Sequence, residues 1–148
     1  MRLPKLTDGQ FMTAEEKRLT LKHWETFLKY GCLEKLFTKR VYEHLSGHCS
    51  FIAHYNREGF YDTYFKSGYD TAHFLSQFDD KNGEPASIEY TGTFWLNGSY
   101  ADINKSMVLV ARKYIPALMK KALAGQKKAD VNFAKGLLAK YGLKLKLA

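Results

Sequence analysis

The chain has 148 residues, 45% of them hydrophobic and 26% charged, with a formal net charge of +8 at pH 7. This length suits one domain and is short for two independent cores, and the apolar fraction is enough to offset chain entropy, which excludes global disorder. No apolar run approaches membrane-spanning length, the amino terminus has no signal-like segment, and Cys32 and Cys49 form no CxxC pair, which points to a reduced, cytoplasmic protein without a membrane partner.

Thr13-Ala14-Glu15-Glu16 reads as a capping box, so a helix is predicted to start there, with Leu19, Leu21, His23, Trp24, Phe27 and Leu28 on its apolar side and Gly31 as its stop. A second helix is predicted from Leu33 to Leu45, where Leu36, Phe37, Val41, Tyr42 and Leu45 recur at three- and four-residue spacing before Ser46-Gly47. A third runs from Ser50 to Lys66, weakened at Gly59, and a short fourth from Thr71 to Phe78 has Asp70 as its N-cap. Phe51, Tyr55, Phe60, Tyr61, Tyr64, Phe65, Tyr69, Phe74 and Phe78 crowd this stretch and form the expected core.

Residues 79–85 read as a turn-rich loop, and Ile88, Tyr90, Phe94 and Leu96 then alternate with more polar positions at the period of a half-buried strand. Ser99-Tyr100-Ala101-Asp102 resembles a second capping box and opens a helix expected to reach Leu123, bent near Pro116 and stopped at Gly125. Lys127 and Lys128 fall in the expected connection. A last helix carries Val131, Ala134, Leu137, Leu138 and Tyr141 inward before Gly142, and residues 143–148 form either a docked extension or a flexible basic tail. The fold class is therefore mainly α: one domain over 1–148, a bundle of about five to six helices with a small extended or β segment near 87–97.

The distribution of charge is more informative than its size. Residues 1–100 hold 12 Lys/Arg and 13 Asp/Glu, whereas residues 101–148 hold 11 Lys/Arg and only Asp102 and Asp130. Such asymmetry attracts an anionic partner. At about 100° per residue, Ile103, Met107, Val110, Ala111, Tyr114 and Leu118 share one face of the helix, and Lys105, Arg112, Lys113 and Lys120 lie across from them, extended by Lys127 and Lys128. Trp95, Tyr90 and Tyr100 precede this stripe and could stack on bases, but their alternation fits core packing better.

His44, His48 and His54, with Cys49, are the candidate metal ligands, although Ser46-Gly47 breaks the helix that would pair His44 with His48 and no HExxH occurs. Arg40 and His44 are separated by three residues, one fewer than the Arg-x4-His spacing of helical metal-independent ribonucleases. His54-Tyr55-Asn56-Arg57 is polar enough for a site but could equally cap the bend before Gly59. No nucleophile elbow, phosphate-cradling glycine loop or dinucleotide fingerprint is present, and no cofactor is expected. The expected function is non-catalytic binding to the DNA or RNA backbone. A module that docks on an acidic or nucleoprotein complex is the alternative, and a histidine- or metal-dependent nuclease ranks third.

Overall fold

The computed structural model describes residues 2–9, 12–33, 38–46, 55–78 and 101–144. The described residues are mainly helical and form a bundle of α1 (Ala14–Thr26), α2 (Lys39–Ser46), α3 (Arg57–Tyr64), α4 (Gly68–Ser76) and α5 (Ala101–Lys140). The loop expected at 79–85 and the extended segment expected near 87–97 lie outside the described residues, as do Tyr90, Trp95 and Tyr100.

The capping box forms as its residue types require. Thr13 Oγ1 accepts from the Glu16 amide at 3.1 Å and the Glu16 carboxylate accepts from the Thr13 amide at 3.4 Å, so two amides that helix geometry leaves without partners are satisfied. Lys17, Thr20 and Trp24 make the buried side of α1, and the chain then widens into a π-helical turn, Phe27–Gly31, closed by the Cys32 amide on the Phe27 carbonyl at 2.8 Å.

Two later starts differ from the expectation. Asn56 caps α3, its Oδ1 accepting from the Gly59 amide at 2.6 Å, so this helix begins well after Ser50 and Gly59 lies under the cap. Ser67, and not Asp70, caps α4: the Ser67 hydroxyl accepts from the Asp70 amide at 3.1 Å and donates to the Asp70 carboxylate at 3.0 Å. Asp70 occupies the third helical position, so the acid, not the cap, falls where the sequence shows the stronger signal.

The core is aromatic, as the crowding of rings predicts. Phe27, Phe60, Phe74 and Phe78 are almost completely buried, with Phe65 against Phe74 at 4.9 Å and Phe60 against Phe65 at 5.4 Å between centroids, in edge-on contacts that suit ring quadrupoles. Trp24 closes the cluster on the α5 side, and its indole Nε1 donates to the Met107 carbonyl at 2.9 Å. Tyr69 does not join the cluster and stays 60% exposed.

One helix stands where two were expected. α5 continues unbroken through Pro116, Gly125 and Gly136 to Lys140. A Cβ at Gly125 would meet nothing within 4 Å, so this glycine costs the helix only its weak propensity, about 1 kcal/mol. The stop is Gly142, at φ +69°, where the Leu143 amide reaches the Leu138 carbonyl at 2.7 Å and the Gly142 amide reaches the Ala139 carbonyl at 3.2 Å, the paired bonds of a Schellman turn. The core side of α5 runs from Ile103 to Ala122. Beyond it Leu137 is 44% and Tyr141 69% exposed, which corrects the expectation that both point inward.

Gly68 fixes how α4 meets α5. A Cβ there would lie 2.3 Å from the Ala122 carbonyl oxygen and 2.6 Å from Gln126 Cβ, so only glycine allows this approach. The Gly68 amide donates to Gln126 Oε1 at 2.7 Å and Tyr69 Oη donates to Asp130 Oδ2 at 2.9 Å, tying the start of α4 to the middle of α5.

Candidate nucleic-acid interface

Because α5 is continuous, lysines that the sequence assigned to separate segments share one surface. Lys113, Lys120 and Lys127 are seven residues apart, as are Lys121, Lys128 and Lys135, and all six are exposed. Seven residues nearly complete two helical turns, so each set forms a row with a step of about 10.5 Å, and the rows run about 80° apart around the axis. Together they cover an arc of about 120° over a length of about 33 Å. Lys121 and Lys135 were not among the sequence candidates. Their signal was the heptad spacing, which has meaning only if Gly125 does not end the helix.

The two acids of α5 leave this arc clear. Asp130 lies about 60° beyond its edge on an ideal helix, where it accepts from Tyr69 and from Gln126 Nε2 at 2.8 Å. Asp102, at the start of α5, receives the ammonium of Lys17 at 3.0 Å and the Thr7 amide at 3.0 Å. Lys17 is 1% exposed and also donates to the Thr7 carbonyl at 2.7 Å, so this pair pins the amino-terminal segment and α1 to α5. Burial by itself would raise the Asp102 pKa, but the Thr7 amide, the Lys17 ammonium and the Ile103 amide together outweigh it and hold the carboxyl below the usual range.

Arg112 leaves the expected stripe. It is half-buried, its Nε donates to the Phe78 carbonyl at 3.0 Å just after the end of α4, and its Nη2 is buried without a hydrogen-bond partner among the described residues. A cation suits the carbonyl-rich end of a helix, so this guanidinium serves the fold at the place where it was expected to serve a partner. Lys105 is exposed but stands about 12 Å before Lys113 along the axis, apart from the rows. Lys113 Nζ sits 5.5 Å from the centre of the Tyr114 ring, with Lys29 Nζ 5.9 Å from the same centre, but Lys29 is paired with Glu25 at 3.1 Å and so adds no net charge beside the first row. Among the described residues no carboxylate pairs with any of the six row lysines.

The histidine candidates divide. His44 Nε2 lies 3.0 Å from Thr20 Oγ1 and its ring centre 4.7 Å from that of His23, so His44 joins α2 to α1. Burial, then Arg40 and Lys22, lower the pKa of His23. His48 and His54 lie outside the described residues, and among the described residues no group of three or more His, Cys, Asp or Glu could hold a metal ion. Asn56 spends its side chain on the α3 cap. Arg57 lines a cleft of about 430 Å³ with Lys39, Tyr42, Glu43 and Glu58, where charges of both signs alternate. Cys32 is a free, buried thiol whose pKa burial pushes up to about 12. Among the described residues no helix is long and apolar enough to cross a membrane.

No known protein family matches the chain, and neither a curated protein nor a solved structure shows significant similarity to it.

Proposed function

We propose that this protein binds nucleic acid through the phosphate backbone, using the two lysine rows of α5 as a sequence-tolerant interface. The observation that carries the reading is the arc itself: six exposed lysines at heptad spacing on one side of one helix, without a carboxylate among them. Each lysine that neutralises a phosphate releases condensed counterions, which supplies affinity without base reading. Lysine is a point charge, and the rows hold no guanidinium to fork onto a guanine edge, so selectivity among sequences is expected to be small. Binding of this kind is a non-catalytic role. A cytoplasmic setting fits the unreactive Cys32 thiol.

The test is equilibrium binding of nucleic-acid-free protein to labelled duplex DNA, single-stranded DNA and RNA over a salt series. The logarithm of affinity should fall linearly with the logarithm of salt, and Lys120→Gln/Lys127→Gln should flatten the duplex DNA slope by about 1.8, two contacts' worth. The same pair of changes at Lys22 and Lys39, outside α5, should leave it unaltered. Binding that ignores salt, or that the row variants leave intact, overturns the reading.

A further inference from the structure

A second cluster of basic groups lies away from the α5 rows, where α1 meets α2, and it stands independently of the nucleic-acid reading. The rings of His23 and His44 approach to 4.7 Å between centres, tilted by 49°, and both residues are half-buried. Arg40 lies one helical turn before His44 on the same side of α2, Lys22 adjoins His23 on α1, and both are exposed. The charges that act on His23 are those of Arg40 and Lys22, both positive. Among the described residues no carboxylate pairs with either of them. The acids next to the cluster in sequence are engaged elsewhere: Glu43 with Lys39 at 3.7 Å, Glu25 with Lys29 at 3.1 Å, and Glu16 with the Thr13 cap.

One imidazole is oriented from beneath. Thr20 is completely buried and its hydroxyl donates to the Glu16 carbonyl at 2.9 Å, so its oxygen accepts from His44 Nε2 at 3.0 Å. His44 Nε2 therefore carries hydrogen, and Nδ1 is the nitrogen that takes the second proton. A charged His44 beside a charged His23, with Arg40 and Lys22 close by, is a set of like charges whose mutual repulsion an anion relieves. The geometry points to a site for a phosphate group at this junction of α1 and α2, held by Arg40 and the two imidazoles with Lys22 at its edge.

The class of ligand follows from charge and shape. A guanidinium forks onto two oxygens of a tetrahedral oxyanion, each imidazolium donates a further N–H, and an ammonium adds charge without fixing geometry. A free phosphate or a phosphomonoester carries about −1.5 to −2 charges in neutral solution, so it offsets more of the repulsion than a carboxylate or an internal phosphodiester, each with a single charge. The duplex backbone therefore stays with the lysine rows of α5, and this site takes a compact dianion.

The test follows the histidine ring signals of the full-length, nucleic-acid-free chain by NMR while sodium sulfate, a dianion throughout the range used, replaces sodium chloride at constant ionic strength. The His23 and His44 signals should shift together along one saturable curve, and sulfate affinity should fall about tenfold or more from about pH 5.5 to about pH 7.5 as the imidazoles lose their protons. Arg40→Gln should weaken binding about tenfold or more, with unchanged far-UV circular dichroism because Arg40 is exposed. Lys128→Gln, in the α5 rows, should leave the histidine response as it was. Inorganic phosphate, adenosine monophosphate and adenosine then separate the sources: tighter binding of the nucleotide assigns the group to a nucleotide, and equal binding assigns free phosphate. Shifts that chloride reproduces, that never saturate, or that survive Arg40→Gln overturn the site, as does adenosine that binds as well as its monophosphate.

Discussion

Lys17 is a charge taken almost wholly out of water, and its value lies in what it holds together. Its ammonium meets Asp102 and the Thr7 carbonyl, so three distant parts of the chain share one ion pair. Replacing one member strands the other in a poorly solvated place, whereas replacing both with apolar groups removes the penalty along with the bond. Lys17→Met should therefore cost about 3 kcal/mol in urea denaturation, and Lys17→Met/Asp102→Leu should cost clearly less than the two single changes added together. Nothing in the residue pattern singles out this lysine. It stands between Glu16 and Arg18 in a run that reads as a solvated face, and its burial follows from a partner 85 residues away. Arg112 shows the same limit from the other side, since a basic residue at the right helical angle looks like a ligand-binding group until the end of α4 is placed against it.

At the scale of elements, local chemistry that satisfies backbone groups was legible. The Thr13 capping box and the left-handed Gly142 are where their residue types put them, because their bonding partners lie within a few residues. The misreading of α5 concerns a glycine whose meaning depends on its surroundings. Gly125 and Gly68 look alike in sequence, yet one faces solvent within a helix and the other is pressed against the backbone of α5. They should respond in opposite directions to the same change. Gly125→Ala should raise stability by about 0.5–1 kcal/mol through helix propensity, while Gly68→Ala should lower it by about 2 kcal/mol or more, since a carbonyl cannot move aside as a flexible side chain can. Thermal melts of the two variants against the parent provide the comparison. The lysine rows were half visible for the same reason: four of the six stood among the sequence candidates, and the other two emerged once Gly125 was known to lie inside the helix.

At the scale of the molecule, two titrating groups among the described residues shape the acid limb of the stability curve. The folded state holds His23 below its ordinary value near 6.5, so the unfolded chain takes up the proton first and stability begins to fall as the pH drops below about 6.5. Asp102 is also lowered, and its contribution, present above the ordinary carboxylate value of about 4, is lost as the pH falls through the folded value. Denaturation midpoints measured from pH 8 to pH 3 should decline in two stages, and His23→Gln should remove the first while leaving the second. The groups that face His23 are Lys22 on its own helix and Arg40 and His44 on α2, so each added proton there meets like charge. The aromatic core carries no such dependence. The overall class of the fold was readable because rings and apolar periodicity set it, whereas the course of α5 beyond Ala122 was not, since no core there dictates which residues turn inward.

The distance between the first and last row lysines gives α5 a meaning as a measure. Under the proposed function its span of about 33 Å is close to one full turn of a B-form duplex. Had the helix ended at Gly125, its row lysines, Lys113 to Lys121, would have spanned only about 12 Å. On that proposal the helix is a molecular ruler whose graduations are ammonium groups and whose reading is about ten base pairs. Duplexes shorter than this should leave the terminal lysines idle, and longer ones should add sites without deepening any single one.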